Sequence, residues 1–186
     1  DLIGIPYRTD CWPVAANGTD RLTSVTLQRG KRQETIACDY FACGFGLIPN
    51  VELAVLLGAR LKNGCVEVDE WQQTSITGVY CAGETTGIGG VELSLAEGQI
   101  AGYAAAGRRS NATEIFAARN AYTNFANLIE TTFSLREELR TLPQDDTLLC
   151  RCEDVPFGQA RQYHSWREAK LHSRCGMGPC QGRVCG

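Results

Sequence analysis

The sequence predicts an α/β fold followed by a small helical, cysteine-rich module. Three observations carry that prediction. The apolar run Val79-Tyr80-Cys81-Ala82-Gly83 leads into a glycine-rich turn that ends at Gly90. A helix built mostly of small residues then runs from Val91 to Ala106. Strand, glycine turn and tight helix form the pattern of a nucleotide-binding layer, because Ala- and Gly-rich helices pack close to a sheet. The third observation is the crowding of Cys150, Cys152, Cys175, Cys180 and Cys185 into the last stretch of a chain with ten cysteines in 186 residues.

The remaining elements follow in order. Residues 1–50 read as short strands and turns, with strands at Asp10–Val14, Leu22–Gln28 and Thr35–Cys43. Asn17-Gly18 and Gly30-Lys31 mark the turns between them. Val51–Leu57 is a short helix closed by Gly58, and Cys65–Asp69 is a further strand. Residues 110–146 carry Phe116, Tyr122, Phe125, Leu128, Ile129 and Phe133 at roughly helical spacing, which predicts one or two amphipathic helices. Leu142-Pro143-Gln144-Asp145-Asp146 is a turn and a module boundary. The last segment, 147–186, contains a spacer helix flanked by His164 and His172, read as surface or packing residues, with Trp166 at the helix centre expected to form the core of the small module.

Composition narrows the function classes. The chain is 44% hydrophobic and 21% charged with net charge −3, and it has no basic stripe that would attract nucleic acid. No stretch reaches the ~18–20 apolar residues of a membrane span. With no charged-then-apolar leader at the start, these features lead us to expect a soluble, cytoplasmic protein. The only methionine is Met177, and residue 1 is Asp, so the chain reads as the C-terminal part of a longer protein. Cys11, Cys38, Cys43, Cys65 and Cys81 lie mostly among Ala, Val, Ile and Tyr and read as small buried hydrophobes. No Ser/His/Asp, Cys/His or paired-carboxylate arrangement suggests hydrolysis.

The run Thr74-Ser75-Ile76-Thr77-Gly78-Val79-Tyr80-Cys81-Ala82-Gly83-Glu84 places an acidic residue at the tip of an apolar strand, directly before a helix. A glycine there lets backbone approach a ligand, and the helix N-terminus carries partial positive charge. This run resembles the second FAD motif of flavoproteins with two dinucleotide-binding domains. Ala42-x-Gly44 with Pro49-Asn50 resembles the point where such a chain leaves its NAD(P)-binding insert and re-enters the FAD domain. The resemblance implies FAD, and possible NAD(P) use, with Thr74, Gly83, Glu84, Gly90, Val91 and Glu92 as cofactor-binding residues. In the family the acidic residue bonds the ribityl chain and the helix start faces the flavin pyrimidine edge. Glu84 stands where the family has Asp, one methylene longer. No Gly-x-Gly-x-x-Gly occurs, since Pro49 occupies the third glycine position after Gly44 and Gly46. The pyrophosphate cradle is therefore expected in a preceding part of the protein.

The terminal run Arg174-Cys175-Gly176-Met177-Gly178-Pro179-Cys180-Gln181-Gly182-Arg183-Val184-Cys185, with Cys150-x-Cys152 before it, gives two thiol turns joined by a helical spacer. Two such turns can close on one metal centre and cross-link a segment too small for its own core. Four Cys thiolates suit a [2Fe–2S] cluster. A Cys₄ zinc site is the alternative, for which Cys150-x-Cys152 is a poor half-site. Arg151, Arg174 and Arg183 would offset cluster charge.

The segment resembles the bacterioferritin-associated ferredoxin (BFD-like) domain, in the version fused behind the flavin domains of the α-subunits of dye-linked proline dehydrogenase, opine oxidase and hydrogen cyanide synthase. Sarcosine oxidase α-subunits share much of this context. The resemblance implies cluster ligands Cys150, Cys152, Cys175 and Cys180. The fourth ligand lies between Cys180 and Cys185; the reading takes Cys180 and leaves Cys185 as a spare or buried thiol.

The expected fold is thus a partial two-dinucleotide-binding-domain flavoprotein with a BFD-like [2Fe–2S] module. Its expected parts are 1–50, the end of an NAD(P)-binding-like insert; 51–109, the C-terminal part of an FAD domain; 110–146, a helical linker or interface; and 147–186, the module. The expected function is flavin-to-cluster electron transfer in amine or amino-acid oxidation (proline, opine or glycine-like). Its expected partners are an electron acceptor and a second flavoprotein subunit. The alternative is a regulatory or docking module, holding zinc or a cluster on a non-catalytic α/β scaffold.

Overall fold

The computed structural model describes residues 4–185. The chain divides into two compact units: one from Cys43 to Leu135, the other formed by the residues up to Ala42 together with those from Arg136 onward.

In the latter unit, strands β1 (Trp12–Asn17), β2 (Ser24–Arg29) and β3 (Arg32–Ala37) form an antiparallel sheet in that order. Pro13 interrupts the β1–β2 register with an irregularity before Ala15, as expected of a residue that cannot donate to a ladder. Val25 is buried opposite Ile36, and Trp12 is buried beneath the Arg136 guanidinium, which lies 4.0 Å from the ring centroid.

The unit from Cys43 to Leu135 begins with α1 (Glu52–Leu56) and the two-residue strands β4 (Leu61–Lys62) and β5 (Cys65–Val66). Helix α2 (Gly90–Ala105) buries Leu93, Ala96, Glu97, Ile100 and Ala104, one stripe at helical spacing. It packs against α3 (Ile115–Thr132) and against the short 3₁₀ turn Arg109–Ala112. Trp71 fixes the start of α3: Phe116 meets it edge-on at 5.0 Å and Arg109 stacks over it at 5.0 Å.

The C-terminal segment carries α4 (Glu137–Arg140), the β6 (Leu148–Cys150) and β7 (Val155–Pro156) pair, α5 (Phe157–Ala160) and α6 (Trp166–Ser173). Its core is Cys150, Val155, Ala160 and Cys175, with Leu149 and Cys185 packed against it.

Several expectations are corrected. Val79–Gly83 is not a strand: Tyr80 makes a single bridge, to Gln73, and every sheet among the described residues is antiparallel. A buried parallel strand needs neighbours along both edges, and this run has only the antiparallel stretch Gln72–Thr74 beside it. The third strand stops at Ala37 rather than Cys43, and Tyr40, Phe41, Phe45, Leu47 and Ile48 lie exposed. Cys43 is exposed and none of the other four scattered cysteines is fully buried. Helix α3 buries no residue fully and leaves Tyr122, Phe125, Leu128, Ile129 and Phe133 open. Trp166 begins α6 rather than sitting at its centre, and is partly exposed.

Candidate functional site

Three of the five terminal cysteines, Cys150, Cys175 and Cys185, converge. β6 ends at Cys150, and Cys152 follows in the turn before β7. Helix α6 is set by a Ser165-x-x-Glu168 box: the Glu168 N–H donates to Ser165 Oγ at 3.2 Å, and Glu168 Oε2 accepts from the His164 N–H at 3.0 Å. The helix ends at Arg174 in the left-handed conformation, which turns the chain back and delivers Cys175. His172 stacks on Tyr163 at 5.3 Å, a packing role that takes it away from the thiols.

The Sγ atoms of Cys150, Cys175 and Cys185 all lie within 4.8 Å of one another. Cys150 is 1% exposed and Cys175 is fully buried. The Gly176 N–H donates to Cys150 Sγ at 3.4 Å. Of the other two thiols of the segment, Cys152 is exposed and Cys180 half-buried. The loop between them has no slack at Gly178, where a Cβ would stand 2.3 Å from Cys152 Cβ. Arg174, expected to face the centre, is engaged by Glu153 at 2.9 Å.

The electrostatics differ from thiol to thiol. The backbone N–H of Gly176, against the effect of burial, holds the Cys150 thiol below its ordinary range, with Glu153 and Cys152 N–H groups assisting. The Cys152 thiol holds Cys180 low, aided by the Gly182 N–H. Burial pushes Cys175 up to about 12, and the Cys185 and Cys150 thiols add to the rise. Burial likewise raises Cys185. For Cys152, the Cys180 N–H acts downward, but the Cys180 thiol and burial outweigh it. A bound cation would override these differences, since a coordinating thiol is deprotonated outright. Donors that are all sulfur, two of them buried, suit a soft thiophilic metal or an iron–sulfur cluster.

The flavin-motif residues lie in the other unit. Thr74 is buried and its hydroxyl is used within the chain: Oγ1 donates to the Val79 carbonyl at 3.0 Å and accepts from the Ile76 N–H at 3.1 Å. Gly83 adopts φ +85°, open to glycine and strained for other residues. Glu84 is exposed in the turn, and Gly90, Val91 and Glu92 form the exposed first turn of α2. No side chain caps that turn, so its N–H groups stay free for a ligand.

Sequence reasoning missed Glu97. Its Oε2, on a side chain 9% exposed, accepts from the Gly83 N–H at 2.8 Å and from Thr86 Oγ1 at 2.9 Å. This carboxylate ties the glycine turn to α2. A carboxylate at a core position of the α2 stripe, one turn after Leu93, was the available signal.

Residues 2–113 match the pyridine nucleotide-disulphide oxidoreductase family. The chain belongs to that family. It is a family of FAD-dependent oxidoreductases with a dinucleotide-binding α/β fold. An opine oxidase subunit of Rhizobium meliloti (strain 1021) is 35% identical over 76% of this chain and 34% of its own length. The hydrogen cyanide synthase subunit HcnB of Pseudomonas aeruginosa is 28% identical over 99% of this chain and 46% of its own length. Ferredoxin–NADP reductase 2 of Listeria monocytogenes is 36% identical over 38% of this chain and 22% of its own length. The chain thus spans between a third and a half of the oxidase and synthase relatives it matches. Among the described residues, no helix is long and apolar enough to cross a membrane.

Proposed function

We propose that this chain is part of an FAD-dependent oxidoreductase subunit that passes electrons from flavin to a four-thiolate [2Fe–2S] cluster in a BFD-like module. The observation that carries the reading is the convergence of three thiols, Cys150, Cys175 and Cys185, without a carboxylate or imidazole among them, with a backbone N–H already donated to Cys150 sulfur. When bound, a [2Fe–2S] cluster supplies a one-electron station. Cys150, Cys152, Cys175 and Cys180 are the expected ligands, with Cys185 beside them. The Gly176 N–H stabilises negative charge on sulfur, and burial of Cys150 and Cys175 keeps water from the inner face.

In the flavin-motif unit, Glu97 and Thr74 shape the turn; exposed Glu84 would hydrogen-bond a bound FAD, and the N–H groups of Gly90, Val91 and Glu92 would stabilise negative charge on it. The named relatives support amine or amino-acid oxidation as the reaction class, with opine-like, proline-like or glycine-like substrates. Their naming as subunits supports a heteromeric assembly, with an electron acceptor and a second flavoprotein subunit. The aromatic face of α3 is the surface we assign to that partner. NAD(P) remains compatible with the family. The proposed parts of the chain divide after residues 50, 109 and 146.

One observation favours a second reading. Tetrahedral zinc with bonds of about 2.3 Å sets its thiolates about 3.8 Å apart. The compact triad of Cys150, Cys175 and Cys185 approaches that spacing. Zinc would make the module a docking or regulatory element on a non-catalytic scaffold.

The test is anaerobic purification of the full-length protein with iron, sulfide and zinc analysis. We expect iron and sulfide near two each per chain, lost in Cys150→Ser. Zinc in place of iron would replace the electron-transfer reading with the docking one.

A further inference from the structure

We propose that the β1–β2–β3 sheet carries a binding site for a small dicarboxylate, centred on Arg29 and Arg32 at the tip of its second hairpin. The inference goes beyond the electron-transfer reading and uses none of the terminal thiols or flavin-motif residues. The run Gln28-Arg29-Gly30-Lys31-Arg32 does not by itself point to a ligand; the pairing of the strands does.

Gly30 and Lys31 form a two-residue turn, with Gly30 at φ +55°, and this turn sets Arg29 directly opposite Arg32. Leu27 stands opposite Glu34 in the same register. Side chains two apart along a strand share a face, so these four residues lie on one side of the sheet. With Arg8 and Cys11 they line a cleft of about 580 Å³. That size lies within the roughly 300–1,000 Å³ of small-molecule sites. Arg8 is already engaged, because both of its terminal nitrogens bond the Glu34 carboxylate. Neither Arg29 nor Arg32 makes an ion pair among the described residues. Like charges directly opposite each other destabilise a strand pair. The chain as a whole has net charge −3, so the two opposed guanidiniums are a local feature and not a sample of a basic surface.

The lining selects the ligand class. Each guanidinium is a planar fork shaped for one carboxylate, so two forks suit a molecule with a carboxylate at each end. Such a dianion balances both unpaired cations, whereas a monocarboxylate leaves one uncompensated. Leu27 and half-buried Cys11 stand beside the forks and suit the carbon chain between two carboxylates. A bare phosphate has no use for that apolar part. No aromatic ring lines the cleft, so a nucleotide base finds no surface to stack on.

The test is calorimetric titration of the full-length protein with glutarate, with butyrate and inorganic phosphate as comparison ligands at matched ionic strength. Glutarate should bind at least about tenfold tighter than either, because only it fills both forks and covers the apolar wall. Arg29→Ala and Arg32→Ala should each weaken glutarate by about tenfold or more. Lys62→Ala, which removes an exposed cation from β4, should leave it unchanged. Both arginine variants relieve the cross-strand repulsion, so they should melt no lower than the wild type, and their loss of binding then reports the site and not unfolding. In the wild type, glutarate should also slow alkylation of Cys11, read by peptide mass spectrometry, with Cys38 unaffected. Absence of glutarate binding, binding that both arginine variants retain, or phosphate binding as tight as glutarate would overturn the assignment.

Discussion

The thiol module and the flavin-motif region solve the same problem in opposite ways. In the module, the buried residues and the candidate ligands are the same groups: Cys150 and Cys175 are two of the four core members. In the flavin-motif region the core is Leu93, Ala96, Ile100 and Ala104 on α2, and the candidate ligand groups sit exposed at that helix's start. In one region a ligand would bind the core itself, while in the other the candidate ligand groups stand apart from the core. A segment of this size with so small a hydrophobic core needs a staple, and among its described residues the thiols are the groups placed to accept one.

Withdrawal of metal should break the comparison most visibly. Structural metal centres contribute on the order of 10 kcal/mol to small domains. A strong chelator should therefore open residues 147–185 to proteolysis while leaving the helical region 90–132 resistant; equal sensitivity of both would show that the module stands without its ligand. Ile100→Ala should do the reverse. Ile100 is fully buried, and its truncation should cost about 2–5 kcal/mol. It should lower the melting temperature of the flavin-motif region with metal content unchanged.

Between these extremes lies Glu97→Ala. It orphans the Gly83 N–H, at about 1–3 kcal/mol, and leaves the Thr86 hydroxyl only the Gly83 carbonyl. In full-length protein it should weaken flavin retention, measured as FAD per chain after gel filtration, with iron unaffected. Rescue by Glu97→Gln, whose carbonyl can accept the same bonds, would separate geometry from charge. The smallest effect is expected from Ser165→Ala, which removes the α6 cap at about 1 kcal/mol. It should sensitise the module to chelator without abolishing loading.

Helix α2 was legible because small residues, a glycine turn before it and Gly107 after it all agree, and it spans Gly90–Ala105 as the pattern implied. The sheet partners of Val79–Gly83 were not legible, because apolar composition reports burial potential and not the presence of a neighbouring strand. The crowding of thiols could be read from sequence. The gathering of Cys150, Cys175 and Cys185 into a triad could not, because the equal spacings around Cys180 carry no preference and the chain turns through left-handed conformations at Gln181 and Gly182. Gln181 in particular is a residue type that gives no hint of positive φ. Glu97 was hidden for a different reason: a carboxylate on an Ala-rich helix reads as solvated until its two hydrogen-bond donors are seen.

The placement of the tryptophans has an optical consequence. Trp12 lies under Arg136, Trp71 between Arg109 and Phe116, and the Trp166 ring within 3.2 Å of where a Gly176 Cβ would stand, beside Cys175. Each therefore emits from a different environment. An iron–sulfur chromophore absorbs across the indole emission band, whereas zinc does not absorb there. Trp166 should be dark in iron-loaded protein and bright in zinc-loaded protein, so its fluorescence reports which metal the thiols have taken before any assay of turnover.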